Sequence, residues 1–496
     1  MKKWCVVTGT NTVLTQLVGA LKQSDDVLIE ALIEKLIQSR VSLNEDWLGI
    51  SRVAYMACHP KLALSALAQF EPEPGSQSFV KKLAMMLECG DIANVESTLR
   101  ALPLHAYTPA VLHFKATLKL QLGDFVQASA SARQVLKSYP ASGESWLNLV
   151  NADTSVTFNS AEYQQMRKLA ESMSLRQAPP SQSLACLYSA LSKLEFSAGE
   201  YDLAFLSAQR AASSDIRGNS YSFEQELKAA DKLIKTTELP PFVPDPGQPE
   251  IKPIFIVGLP RSGTTLLEQA LKGYSGTFGL GECETLTKAV AFVVGKAGQS
   301  AQSVAGEQNL TAEQRHQIKR LYIREVTALG GNFTQCIDKS LSNMWHVGLI
   351  KSLFPQSTII HIERESLDSA WSCFRTHFSQ GLEWSLDLGQ IAEHFHIHYQ
   401  LKEHWLSQSA VVPIQYADLV NKFEETMSKI LRQLKVSEQP VKSNFHISEG
   451  LVKTASVSQV RQPISKTITG DGEAVKRQME KFTLRFDALR GGKKTN

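Results

Sequence analysis

No stretch of this chain approaches the roughly 18 consecutive apolar residues that a membrane-spanning helix needs. The first residues, Met1-Lys2-Lys3-Trp4, lead into a segment broken by Thr8, Thr10, Asn11, Thr12, Thr15 and Gln16, so it lacks the apolar centre of a secretory leader. Clustered Lys/Arg runs interleaved with aromatics, the footprint of nucleic-acid binding, are also missing. The seven cysteines (Cys5, Cys58, Cys89, Cys186, Cys283, Cys336 and Cys373) form no CxxC pair, which excludes a zinc ribbon and a dense disulfide framework. These absences predict a soluble, cytoplasmic protein with no membrane or nucleic-acid partner and no structural metal.

What is present is enough chain for more than one core: 496 residues, 43% of them apolar. Net charge is only +3, yet residues 1–250 hold 23 basic against 26 acidic side chains and the remainder 29 against 23, which makes the second half basic by 6. A mild excess of that kind suits a small polyanionic ligand.

From about residue 25 to 235 the apolar positions recur at helical spacing. Turn signals fall at Gly90-Asp91, Gly123-Asp124, Asn159-Ser160 and Gly199-Glu200, 33, 36 and 40 residues apart, close to the roughly 34-residue period of tetratricopeptide units. Small residues stand where paired helices approach, at Ala116, Gly123, Ala128 and Ala132 and again at Ala190, Gly199, Ala204 and Ala208. Residues 1–239 therefore resemble a tetratricopeptide-like array, whose groove would serve either an acceptor or partner or only packing and dimerisation. Six of the 14 residues from Pro240 to Pro253 are proline, so 240–253 reads as a stiff linker, and 254–496 as a second domain.

That second domain opens with Ile254-Phe255-Ile256-Val257, a strand signal, then Gly258-Leu259-Pro260-Arg261-Ser262-Gly263-Thr264-Thr265, then a helical stretch. Strand, glycine-bounded loop and helix together make an anion cradle of converging N–H groups at a helix N-terminus. The pattern GxxxxGK[ST] would place lysine at Thr264; the positive charge stands instead at Arg261, whose planar fork can hold two oxygens of a phosphate or sulfate. This turns the reading away from a magnesium-dependent kinase or nucleoside triphosphatase, which stays as an alternative.

The segment Pro260-Arg261-Ser262-Gly263-Thr264-Thr265 resembles the 5′-phosphosulfate loop of sulfotransferases that use 3′-phosphoadenylyl sulfate (PAPS), with the tetratricopeptide-bearing bacterial forms and the tyrosylprotein sulfotransferases as the nearest likeness. Arg364, ending the run Phe354–Arg364, and Ser372 eight residues on resemble the family's 3′-phosphate pair, although Glu365-Ser366 replaces the common Asp-Pro. Gln415-Tyr416-Ala417-Asp418-Leu419-Val420 is similar to the strand end that brings Tyr416 near the adenine. Thr454–Ile464 resembles the segment that closes over the donor and offers Ser456; the Gly-Arg-Trp that commonly follows is Gly470-Asp471-Gly472 here. The resemblance implies an α/β domain with a parallel sheet and a donor site made of Arg261, Ser262, Gly263, Thr264, Thr265, Arg364, Ser372, Tyr416 and Ser456.

By the same resemblance, Gly279–Glu284 carries the general base at Glu282, with Glu284 as competitor, and Cys336–Ser340 supplies Lys339 to share with Arg261 the charge on the leaving phosphate. The implied reaction moves a sulfuryl group to a hydroxyl, on a peptide or protein tyrosine or on a smaller metabolite or glycan, without a metal. His394, His396, His398 and His404 invite a metal, but only His394 and His398 would share a helix face, and packing is the reading preferred. A third alternative is a repeat scaffold with a non-catalytic donor site. Oligomeric state is left open.

Overall fold

The structure is a computed structural model that describes residues 8–177, 179–217, 220–236, 251–272, 274, 276–305, 310–330, 335–378, 381–435, 451–452, 454, 456–461 and 470–491. Most of the expected proline linker, 240–250 of 240–253, lies outside the described residues. Thirteen α-helices occupy the described part of the first half: α1 (Thr8–Lys22), α2 (Asp26–Gln38), α3 (Asp46–Met56), α4 (Pro60–Leu67), α5 (Gln77–Glu88), α6 (Ile92–Ala101), α7 (Pro109–Leu122), α8 (Phe125–Ser138), α9 (Gly143–Ala152), α10 (Ala161–Leu175), α11 (Gln182–Ser197), α12 (Tyr201–Ser214) and α13 (Phe223–Ile234).

Local chemistry explains the boundaries. Gly123 closes α7 with φ +82°, in the left-handed region that favours glycine. The next residue, Asp124, caps α8 by accepting from the N–H of Gln127 at 3.1 Å. Ser160 caps α10 in the same way, as Ser181 does α11. Each of the four turn signals joins two helices: α5 to α6, α7 to α8, α9 to α10 and α11 to α12.

The second half is built on five parallel strands, β1 (Lys252–Val257), β2 (Thr277–Gly281), β3 (Gln335–Asp338), β4 (Thr358–Glu363) and β5 (Val412–Gln415), in the order β2-β3-β1-β4-β5. Pro253, counted in the expected linker, stands second in the central strand, near the start where a missing N–H is tolerated. Around the sheet lie α14 (Thr264–Lys272), α15 (Thr285–Val293), α16 (Ala301–Ala305), α17 (Ala312–Gly330), α18 (Val347–Leu353), α19 (Ser366–Phe374), α20 (Leu388–Ser407), α21 (Tyr416–Asn421), α22 (Phe423–Leu434), α23 (Val457–Val460) and α24 (Glu480–Gly491). None of the described helices is long and apolar enough to cross a membrane.

Two kinds of packing hold the halves together. Ile29, Ile33, Trp47, Ile50 and Leu67 from α2 to α4 lie in one apolar core with Phe255, Phe292, Tyr322 and Leu353 of the sheet side. By contrast α9 to α11 bury Trp146, Tyr163, Met166, Leu187 and Leu191 in a core of their own.

Candidate functional site

In a parallel sheet all strands present their carboxyl ends to one edge, where α/β folds place their ligands. Each of the five strands delivers one of the residues singled out in the sequence there: β1 runs into the 258–265 loop, β2 into Glu282, β3 into Lys339, β4 into Arg364 and β5 into Tyr416.

The loop is shaped by contacts that only glycine allows. A Cβ on Gly258 would lie 2.5 Å from the carbonyl oxygen of Ile362, and one on Gly263 (φ +103°) would collide with the Tyr416 ring. Tyr416 is thus pressed against the loop, and it opens α21 rather than ending β5. Ser262 is buried, and its hydroxyl has no hydrogen-bond partner among the described residues. With α14 starting at Thr264, an unsatisfied hydroxyl and the first N–H groups of a helix converge on the loop, which is the donor set an anionic group needs.

Arg261 lies in the same loop and lines the cavity beside it. Its backbone adopts φ +68°, and the side chain reaches away from its own loop to donate through Nε to Ser372 Oγ at 2.9 Å, through Nη2 to Gln459 Oε1 at 2.7 Å and through Nη1 to Ser456 Oγ. Residues expected at two separate ends of a ligand are therefore tied to one another by one guanidinium. Burial, and then the charge of Arg375, lower Arg261 to about 10, and its partners here are neutral oxygens.

Arg364 donates to Asp368 Oδ2 at 3.1 Å, one helical turn on, and lies over the Tyr416 ring at 5.2 Å. Asp368 also accepts from the backbone N–H of Gly470 at 2.9 Å and of Gly472 at 2.8 Å. Arg375 donates to Asp471 Oδ2 at 2.8 Å. A Cβ at Gly472 would lie 2.6 Å from the Leu367 carbonyl carbon, so this Gly-Asp-Gly is a fitted clamp. Gln459, Asp368 and Arg375 were not singled out in the sequence. For Asp368 the available signal was an acidic residue in the first turn of the helix that follows Arg364.

Glu282 and Lys339, 57 residues apart, form an ion pair at 2.5 Å. The lysine side chain is 0% exposed and the glutamate 34%, so the carboxylate is the member that a ligand can reach. The arrangement is braced from behind. Asp338, fully buried, accepts from Ser340 N at 3.0 Å and Asn343 Nδ2 at 2.9 Å, and Glu268 accepts from Gly281 N at 2.8 Å. Burial raises the Glu268 carboxyl, against the pull of Lys339 and Lys272. Glu284 borders the larger of two cavities at the site; its carboxylate accepts from the Ser342 hydroxyl, and burial raises its pKa.

Glu282 lines two cavities. The first, of about 540 Å³, contains Arg261, Gly263, Thr264, Thr265, Arg364, Tyr416 and Ser456 on the sheet side. Its opposite wall comes from the helical half, with Thr117 and Leu120 of α7, Asn148 and Asn151 of α9 and Gln182 and Cys186 of α11. The second, of about 990 Å³, extends past Gly258 and Pro260 to Tyr55, Glu88, Tyr221, Trp384 and Leu401. Among the described residues, Pro260, Glu282, Leu341 and Leu382 alone border both.

The four histidines take separate partners. His394 Nδ1 meets Glu226 Oε1 at 2.9 Å, His396 meets Gln400 at 3.0 Å, His398 meets His361 at 3.0 Å and His404 meets Gln408 at 3.3 Å. Burial lowers His361 to about 4 and His398 well below its ordinary value. Among the described residues no three His, Cys, Asp or Glu side chains are grouped to hold a metal ion.

The arrangement defines an α/β domain with a glycine-bounded loop at the end of its central strand and a Glu–Lys ion pair beside it. Residues 253–440 match the family model described as sulfotransferase family, and this part of the chain is a sulfotransferase family domain. A curated relative, an uncharacterized protein of Aquifex aeolicus (strain VF5), is 28% identical over 308 residues, covering 58% of this chain and 40% of that protein. The chain thus spans less than half the length of the relative it matches. Solved structures that resemble it include the sulfotransferase domain of the Synechococcus PCC 7002 olefin synthase (19% identity, 48% of this chain, 98% of that one, TM-score 0.32). Two others are the sulfotransferase domain of the curacin biosynthetic pathway (18%, 49%, 99%, 0.30) and sulfotransferase STF9 from Mycobacterium avium (11%, 66%, 98%, 0.26). At such TM-scores the solved structures add nothing to the family match.

Proposed function

We propose that the protein transfers a sulfuryl group from PAPS to a hydroxyl acceptor. The observation that carries this reading is the Glu282–Lys339 pair at the border of two cavities, one of which holds the anion loop. The donor would supply an electrophilic sulfur on a nucleotide 5′-phosphate. Ser262, Gly263, Thr264 and Thr265 would hold that 5′ group, Arg364, Ser372 and Ser456 the 3′-phosphate, with Tyr416 beside the nucleoside and Arg261 reaching both ends.

Glu282 would take the proton from the acceptor hydroxyl as its oxygen bonds to sulfur. The bond between sulfur and the bridging oxygen breaks, and Lys339 stabilises the charge left on that oxygen, joined by Arg261 when the ligand draws it back. The products are the sulfate ester and adenosine 3′,5′-bisphosphate. The second cavity would hold the acceptor, and its size admits a tyrosine side chain of a peptide or protein. The helices of the first half, read as tetratricopeptide-like, supply part of its wall.

The test is labelled-sulfate transfer from PAPS together with nucleotide binding. Glu282→Gln should cut turnover by roughly 10²–10⁴-fold and leave the Kd for adenosine 3′,5′-bisphosphate unchanged. Full activity in that variant would remove Glu282 as base. Stabilisation by ATP with magnesium but not by the bisphosphate would sink the donor reading.

A further inference from the structure

The helical half contributes more than a wall to the donor cavity. Lys193, on α11, extends its Nζ to Asn151 Oδ1 at 2.7 Å and to the Val150 carbonyl at 3.4 Å. Both partners are neutral, and Asn151 is a cavity-lining residue of α9. One helical turn along α11 from Lys193, Phe196 carries the guanidinium of Arg375 over its ring at 4.3 Å. At the other end of the same helix Gln182 Nε2 meets His377 Nε2 at 2.5 Å. Helix α11 is thus seated at two points against the α19 end of the transferase domain, with Lys193 between them.

The charges around this seat do not balance. Arg364 and Arg375 are paired with Asp368 and Asp471, and Glu144, a further carboxylate of the cavity wall, accepts from Ser183 Oγ at 2.8 Å. Lys193 and Arg261 form no ion pair among the described residues. Burial and the charges of Arg375 and Arg261 push Lys193 down to about 8; both charged groups that bear on it are positive. A half-buried cation that is held by neutral oxygens and faces other cations favours an anionic ligand. A phosphate monoester, with nearly two negative charges at neutral pH and three acceptor oxygens, matches these two cations.

We infer that Lys193 of the helical half is a donor-binding residue that completes the site for the 3′-phosphate, so that recognition of the bisphosphate nucleotide depends on both halves of the chain. The inference rests on the donor reading above and adds to it a residue outside the region matched by the family model, 253–440. The ligand class is a nucleoside carrying a 3′-phosphate in addition to its 5′ group. Adenosine 5′-monophosphate lacks the anion that Lys193 would meet.

The experiment is calorimetric titration of the full chain with adenosine 3′,5′-bisphosphate and with adenosine 5′-monophosphate. Lys193→Met keeps the apolar stem and removes the charge. It should weaken the bisphosphate by roughly tenfold or more, the size of one charge-assisted contact, and leave the monophosphate within about twofold. Asn151→Asp, which sets a carboxylate against Lys193 without emptying the site, should produce the same selective loss. Lys193→Arg should retain most of the preference. Unchanged discrimination in both the Met and the Asp variants overturns the inference, and so does equal weakening of the two nucleotides. A wild-type protein with no preference for the bisphosphate overturns the donor reading itself, and Lys193 with it.

Discussion

Helices α2 to α4 and helices α7 to α11 belong to the same helical half but differ in how much apolar surface they share with the transferase domain. The first set is joined to it by a continuous apolar core around Trp47, Ile50, Phe292 and Tyr322. That core is sealed at its edge by Asp26, which accepts from Arg320 Nη1 at 2.8 Å and Arg324 Nη1 at 3.1 Å. The second set keeps most of its core to itself, touches the domain through small apolar contacts, Leu120 and Ala128 with Val457 and Val460 and Phe196 with Trp371, and otherwise faces it across a cavity whose wall mixes polar and apolar side chains. Apolar contact gives a fixed attachment, since separating it exposes all of its surface to water. A face that looks mostly onto a cavity costs less to open, and it suits a site where ligands come and go.

The largest effect is expected at the attachment. Trp47, 1% exposed, replaced by Ala should cost about 3–5 kcal/mol, and because its core spans both halves, denaturation followed by signals from each should shift together. A loss confined to the helical half would break the contrast between the two sets.

Asp26→Ala comes next, at about 2 kcal/mol, because Arg320 and Arg324 lose their carboxylate. Burial opposes the charge on Asp26, but hydrogen bonds from Arg320 and Gln317 and the charges of both arginines outweigh it and hold the carboxyl below its ordinary 3.8. A depressed value of this sign contributes stability above pH 3.8 and loses it as the pH falls through the folded-state value. Denaturation midpoints of wild type and variant should therefore differ at neutral pH and converge on acidification. A difference that persists at the acid end would assign the effect to packing.

The smallest stability effect is expected on the cavity side. Gly123→Ala forces φ +82° on an L-residue and brings its Cβ to 3.0 Å from Arg461 Nε, at about 1 kcal/mol. Arg461 directly follows α23, whose Gln459 and the preceding Ser456 hold Arg261. The Kd for adenosine 3′,5′-bisphosphate should thus rise several-fold although little stability is lost. Unaltered binding would separate this turn from the donor site.

Much of this could be read without coordinates wherever the cause was local. The Gly-Asp turns, the strand-loop-helix around Gly258 and Gly263, and the placing of Arg364 and Ser372 on a strand end and the next helix follow from backbone preference and periodicity. Glu282 and Lys339 could be named from motifs, but their contact is set by β2 and β3 lying side by side, which no spacing reveals. The sequence shows Arg261 in the loop but not its positive φ or its contact with Ser372, which joins segments over a hundred residues apart. The seating of α11 beside α19, and so the place of Lys193, depends on helices nearly two hundred residues apart in the chain. Nothing local encodes that approach.

The partition formed by Pro260, Glu282, Leu341 and Leu382 bears on the order of events. Two ligands lodged on its two sides would meet only at the Glu282 carboxylate, and neither would have to depart before the other could enter. On the proposed reading, initial-rate plots should intersect rather than run parallel, the signature of a ternary complex with direct hand-over. No group of the chain would be sulfated between the two substrates.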